Sequence, residues 1–182
     1  MRIISGIRRG KRLITLEGQN TRPTLERVKQ SIFDTLQFKI QGRVVLDLFA
    51  GSGQMGLEAL SRGAEFCYFN DMDKRACKVI DQNIKACRFE KMSKLTCQSY
   101  EQCVKILKIQ AVKPSLVFID PPYGHGMANN SLELLLQSGI LEQGALLVLE
   151  CGIDDKIEAG GCFDVIKIQH YKTLKIHFLE MR

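Results

Sequence analysis

The chain has 182 residues, 45% of them hydrophobic, which suffices for one well-buried domain and leaves little for a second full one. A formal charge of +6 and a pI near 9.0 suit a polyanionic partner. No run of about 18 apolar residues occurs, which excludes a membrane-spanning helix, and the opening alternates charge instead of forming a leader, so a cytoplasmic protein is expected.

In chain order the basic excess comes first. Residues 1–43 hold ten Lys or Arg against three Asp or Glu, so the remainder is close to neutral. Within residues 1–20, Arg2, Arg8, Arg9, Lys11 and Arg12 are spaced around Gly6 and Gly10, a pattern that predicts a short β-hairpin arm able to lie along RNA phosphates. A solvated basic tail is the plainer alternative. Residues 21–42 predict a helix: Pro23 stiffens its start, Thr24 can cap it, and Leu25, Val28, Ile32, Phe33 and Leu36 fall at helical spacing. Over 43–182, apolar strands near 43–49, 65–71, 94–99, 115–120 and 144–151 alternate with helices near 54–62, 73–88, 100–109, 130–138 and 153–159. That alternation predicts an α/β fold with a parallel, doubly wound sheet and helices on both faces. Residues 162–169 and 173–180 lie too close together for a helical crossover and should pair as an antiparallel hairpin, which makes one C-terminal strand antiparallel.

Two motifs carry chemistry. Val44 to Ala50 runs straight into Gly51-Ser52-Gly53-Gln54-Met55-Gly56, a strand, a glycine turn and a helix start. Such glycines let backbone approach a ligand closely, and the exposed N–H groups suit a carboxylate or a phosphate. The spacing alone fits a dinucleotide, but Asp47 at the strand end would repel a pyrophosphate and welcome an ammonium. S-adenosylmethionine, which bears an amino group, a carboxylate and a sulfonium but no phosphate, fits better. A ribose diol would be held by an acid about twenty residues on. Asp71 is that acid, and the competing Asp73 is read as an N-cap for the helix that follows. The second motif, Asp120-Pro121-Pro122-Tyr123, ends the apolar run Leu116 to Ile119. Asp120 offers a carboxylate, Pro121 a carbonyl on stiff backbone, and Tyr123 a ring that could stack under a base; a rigid strand-to-loop turn is the bland alternative.

At these residues the chain resembles the bacterial methyltransferases that modify the exocyclic N2 of a guanine, conventionally numbered 966, in 16S ribosomal RNA. The resemblance rests on Met1 to Gly6 with Arg9-Gly10, on Thr21-Arg22-Pro23-Thr24 with Arg27-Val28, on Leu46 to Gly53, and on Asp120 to Tyr123, and it spans nearly the whole chain. It implies the class I fold of S-adenosylmethionine-dependent methyltransferases. It also implies a cofactor site of Asp47, Phe49, Gly51, Ser52, Gly53, Asp71, Met72, Ser99 and Asp120, and catalysis by Asp120, Pro121, Pro122 and Tyr123. RNA contacts are implied for Arg2, Arg8, Arg9, Lys11 and Arg12, with Arg22 and Thr24 near the cofactor or the target base. One departure is visible: Ser99 stands where the family usually has an aspartate for the adenine amino group. The implied partner is 16S rRNA in a small ribosomal subunit or its assembly intermediate, acted on by a monomer without metal.

Three readings compete with rRNA methylation. A DNA adenine or cytosine amino methyltransferase shares the chemistry but needs an inserted domain to read duplex sequence. A non-catalytic RNA-binding assembly factor could keep the fold. A nucleotide-dependent oxidoreductase leaves Asp120 to Tyr123 without a role. The seven cysteines show no C-x-x-C spacing, and the four at ten-residue intervals, Cys67, Cys77, Cys87 and Cys97, are expected as reduced thiols. His125, His170 and His177 show no ligand spacing either.

Overall fold

The computed structural model describes residues 1–16, 23–122, 126–158 and 160–182, with residues 23–26 described in backbone only. After an N-terminal arm come α1 (Pro23–Thr35), β1 (Val44–Asp47), α2 (Gln54–Ser61), β2 (Phe66–Asn70), α3 (Lys74–Cys87), β3 (Ser93–Thr96) and α4 (Tyr100–Ile109). β4 (Leu116–Ile119), α5 (Met127–Ser138), β5 (Leu146–Gly152), β6 (Phe163–His170) and β7 (Leu174–Met181) complete the described elements.

The seven strands form one sheet in the order β3-β2-β1-β4-β5-β7-β6. β7 is antiparallel to both its neighbours, so β6 runs with the parallel set, as the expected hairpin requires. All four residues of β4 are buried, without the alternation of a half-exposed strand, because helices cover both faces of the central sheet. One core layer joins α1, α2 and α3 to the sheet through Phe33, Leu57, Phe69, Ile80 and Phe118. The other joins α4 and α5 through Leu107, Val117, Leu132 and Leu147. Strand order reverses between β1 and β4, which opens a crevice beyond their carboxyl ends, the usual ligand position in such sheets.

Local chemistry sets several boundaries. Asp73 accepts from Arg75 N at 2.8 Å and caps α3, and Arg88 ends that helix in the left-handed region at φ 58°. β3 stops at Thr96, short of the expected 99, because the chain must turn for Ser99 to cap α4. α1 begins at Pro23, so Thr24 lies inside its first turn instead of capping it. No helix forms over the described part of 153–159. There the Asp155 carboxylate folds back to accept from Gly152 N at 2.8 Å, and Lys175 Nζ donates to the Asp155 carbonyl at 2.6 Å, ties that hold a turn in place of a helical start. The arm carries one antiparallel bridge, Arg2 to Arg12, closed by a 3-10 turn over Gly6–Arg8. Its hairpin is shorter than a full ladder.

Candidate active site at the carboxyl ends of β1, β2 and β4

The glycine turn leaves β1 at Asp47 and re-enters helix at Gln54. Gly51 and Gly53 take φ of 55° and 76°, where side-chain-bearing residues are strained. A Cβ on Gly51 would meet open space, so the backbone there is free for a ligand to approach. Gly56 has the opposite reason: a Cβ would fall 2.3 Å from the Phe69 ring and 2.5 Å from Cys67 Sγ, so its absence lets α2 settle against β2.

Three carboxylates stand at or just past the ends of β1, β2 and β4. Asp47 is buried, with Oδ2 accepting from Gly56 N at 2.9 Å. Burial pushes its pKa up to about 7, against the help of that N–H; the neighbouring Asp71 charge adds to the rise. Asp71 accepts from Gly51 N at 2.8 Å through Oδ2 and from Asp73 N at 2.9 Å through Oδ1, and so clips the glycine turn to the end of β2. Asp120 follows β4 directly. It is open to water on one side yet enclosed by surrounding protein, which raises its pKa well above the carboxylate range, with the charges of Glu150 and Asp47 contributing. The water contact tempers that rise.

The remaining expected cofactor residues are distributed as follows. Ser52 is buried, and its carbonyl accepts from Asn83 Nδ2 at 2.9 Å. Phe49 packs on Tyr100 with ring centroids 5.5 Å apart. Met72 lies exposed beside Asp71. Ser99 is exposed, and its hydroxyl accepts from Gln102 N at 3.4 Å, so part of its polar capacity serves the helix cap. Pro121 is buried and Pro122 exposed, and both line a pocket of about 240 Å3 that continues past Met127 and Glu150. Tyr123, Arg22 and His125 lie outside the described residues, as does the side chain of Thr24.

The basic arm is docked, not loose. Glu58 of α2, fully buried, accepts from Ile4 N at 2.7 Å and Ser5 N at 3.0 Å, while Lys29 at 3.2 Å and Arg62 at 2.8 Å balance its charge. Arg8 is drawn inward: its Nε donates to the Cys87 carbonyl at 2.6 Å and its guanidinium lies 5.6 Å from the Phe89 ring centre. Arg2, Arg9, Lys11 and Arg12 stay exposed. Two buried amides escaped the sequence reading. Asn70 donates to the Leu48 and Gln98 carbonyls and accepts from Thr96, holding three strand ends together. Asn83 accepts from Ile14 N and donates to the Ile14 and Ser52 carbonyls, joining the arm to the glycine turn. The signal available for Asn70 was a polar residue closing an apolar strand; Asn83 showed only as an amide on an apolar helix face.

Known proteins resemble this chain in sequence and in fold. YlbH of Bacillus subtilis is 36% identical over 150 residues, covering 82% of this chain and 82% of its own. Ribosomal RNA small subunit methyltransferase D of Haemophilus influenzae is 34% identical over 152 residues, covering 82% of this chain and 78% of its own. The solved structure of yhhF from Escherichia coli superposes with a TM-score of 0.87 at 26% identity and covers 100% of this chain and 98% of that one. The family described as conserved hypothetical protein 95 matches residues 1–180, and the chain belongs to it, alongside the proteins named ribosomal RNA small subunit methyltransferase D.

Proposed function

We propose that this protein methylates the exocyclic N2 of a guanine in 16S ribosomal RNA, the one conventionally numbered 966, within an assembling small subunit. The observation that carries the reading is the meeting of two turns. The glycine turn after β1 and the Asp120-Pro121-Pro122 turn after β4 face one crevice, tied by Leu48 N donating to the Phe118 carbonyl at 3.1 Å. The relatives named rRNA methyltransferases support the substrate class.

The residues fit S-adenosylmethionine. Asp47, Asp71 and Asp120 place carboxylates around an open glycine backbone, hostile to a pyrophosphate and suited to an ammonium and a ribose diol. Bound there, the cofactor supplies an electrophilic methyl on a sulfonium. Asp71 and the glycine turn would hold its ribose and amino acid ends, and Met72 and Phe49 would lie along it. At the base, Asp120 and the Pro121 carbonyl accept the two N2–H bonds, which turns the nitrogen lone pair toward the methyl. Attack by that nitrogen would displace the sulfide from the methyl and release one N2 proton, to the Asp120 carboxylate or to water. Fixed acceptors and orientation supply most of the rate. Tyr123 would stack on the flipped base, replacing part of the stacking it gives up on leaving the helix.

The test is transfer of labelled methyl from S-adenosylmethionine to small-subunit particles from cells lacking this protein, with nucleoside analysis of the product. N2-methylguanosine at one site is expected. Label in duplex DNA and none in RNA would favour the DNA amino methyltransferase reading, and absence of cofactor binding would leave the assembly-factor reading.

A further inference from the structure

β4 and β5 run parallel with Ile119 beside Leu149, so the next residues, Asp120 and Glu150, are neighbours at the mouth of the crevice. Glu150 lies on a strand held on both sides, paired with Ile176 of β7 as well, so its place is set by the sheet and not by a loop. It lines the pocket of about 240 Å3 together with Pro121 and Pro122, the residues that follow Asp120. The two carboxylates feel each other, since Glu150 is the charge that most raises the Asp120 pKa. Two like charges at one pocket are unfavourable until something rich in donors sits between them.

We infer that Glu150 is a specificity-determining residue that accepts the ring N1–H of the target guanine, so that the site selects guanine over bases with a lone pair on the ring nitrogen beside the amino group. The inference rests on the guanine N2 reading and sharpens it. Guanine presents N1–H and the N2 amino group side by side, an unbroken row of donors. Adenine and cytosine present an amino group beside a bare ring nitrogen. Against Asp120 alone, all three amino groups look alike. A second carboxylate in register with Asp120 attracts the guanine edge and repels the other two, and a buried lone pair facing a carboxylate is left without a donor. Glu150 also has a contact within the protein, which is compatible, because a carboxylate offers about four acceptor positions.

The test uses the full chain and small-subunit particles reconstituted with guanine, 2-aminopurine or adenine at the methylated position. 2-Aminopurine keeps the N2 amino group but carries a lone pair at N1. The wild-type protein is expected to prefer guanine over 2-aminopurine by on the order of 100-fold in kcat/KM. E150Q should lose about 10-fold or more on guanine and bring these two bases within a few-fold, because an amide can donate to a bare N1; E150D should restore part of the preference. S-adenosylmethionine affinity should be unchanged in E150Q, a readout that a general folding defect would move. Unchanged preference in E150Q with a lowered rate on both bases would overturn the inference and leave the guanine reading intact. Wild-type transfer to adenine with none to guanine, or no transfer at all, would overturn both.

Discussion

Removing the Asp120 carboxylate deletes the acceptor on which the proposed transfer depends while leaving the glycine turn untouched. Asp120→Ala is expected to lower methylation by at least about 100-fold, with S-adenosylmethionine affinity by calorimetry held within a few-fold. Equal loss of both would mean that Asp120 supports the loop and not the base. Asp47 makes a different prediction, about stability. Its folded pKa, near 7, lies above that of an unfolded carboxylate, so the folded protein holds this proton more tightly. The contribution is complete at about pH 4 and below and is lost as pH rises through 7, amounting to a few kcal/mol at about 1.4 kcal/mol per unit. Urea unfolding of the cofactor-free protein should therefore show stability falling between about pH 4 and 7, and Asp47→Asn should flatten that slope. A slope unchanged in the variant would place the titrating group elsewhere.

Among the elements, the N-terminal arm and α2 depend on each other. Gly6 takes a φ of 79°, and a Cβ there would lie 1.7 Å from the Ser61 carbonyl oxygen, so no side chain fits without lifting the arm off α2. Gly6→Ala is expected to weaken binding to small-subunit RNA by about tenfold or more, as displaced arginines lose their alignment, while the core melts cooperatively as before. RNA affinity equal to wild type would show that the arm does not position those cations. Gly56→Ala acts on the core instead: forcing α2 away from Phe69 and Cys67 should cost about 1–3 kcal/mol in denaturant unfolding. At the far edge, β6 leaves Val165, Ile166 and Ile168 partly exposed, and a bulge between Val165 and Lys167 interrupts its ladder, a known device against edge pairing.

Over the whole molecule, the basic arm is docked across its described residues 1–16, since Glu58, Ser61 and Asn83 hold it against α2 and α3. Arg2, Arg9, Lys11 and Arg12 project from it. Replacing these four with Ala or Gln should weaken RNA binding across sequences and flatten its salt dependence by roughly 0.7 to 0.9 in slope for each phosphate that is no longer neutralised. A slope equal to wild type would assign the RNA surface to another face. Apart from the helix expected over 153–159, the order of strands and helices, the C-terminal hairpin, and the placement of Asp47, Asp71 and Asp120 at or just past strand ends were legible in the linear chain. Each depends on local periodicity, on a glycine turn or on a proline pair, signals that a few neighbouring residues carry by themselves. The sequence could not show that Ser99 would cap α4, that Asp155 would replace a helix with a turn, or that Arg8 would spend its guanidinium on Cys87 and Phe89. Nor could it reveal that Asn83 links the arm to the glycine turn, or that Glu150 stands beside Asp120. Those outcomes are decided by partners far apart in the chain, and a hydrogen bond or a pair of charges acts only across the few ångströms that the folded sheet and its helices bring together.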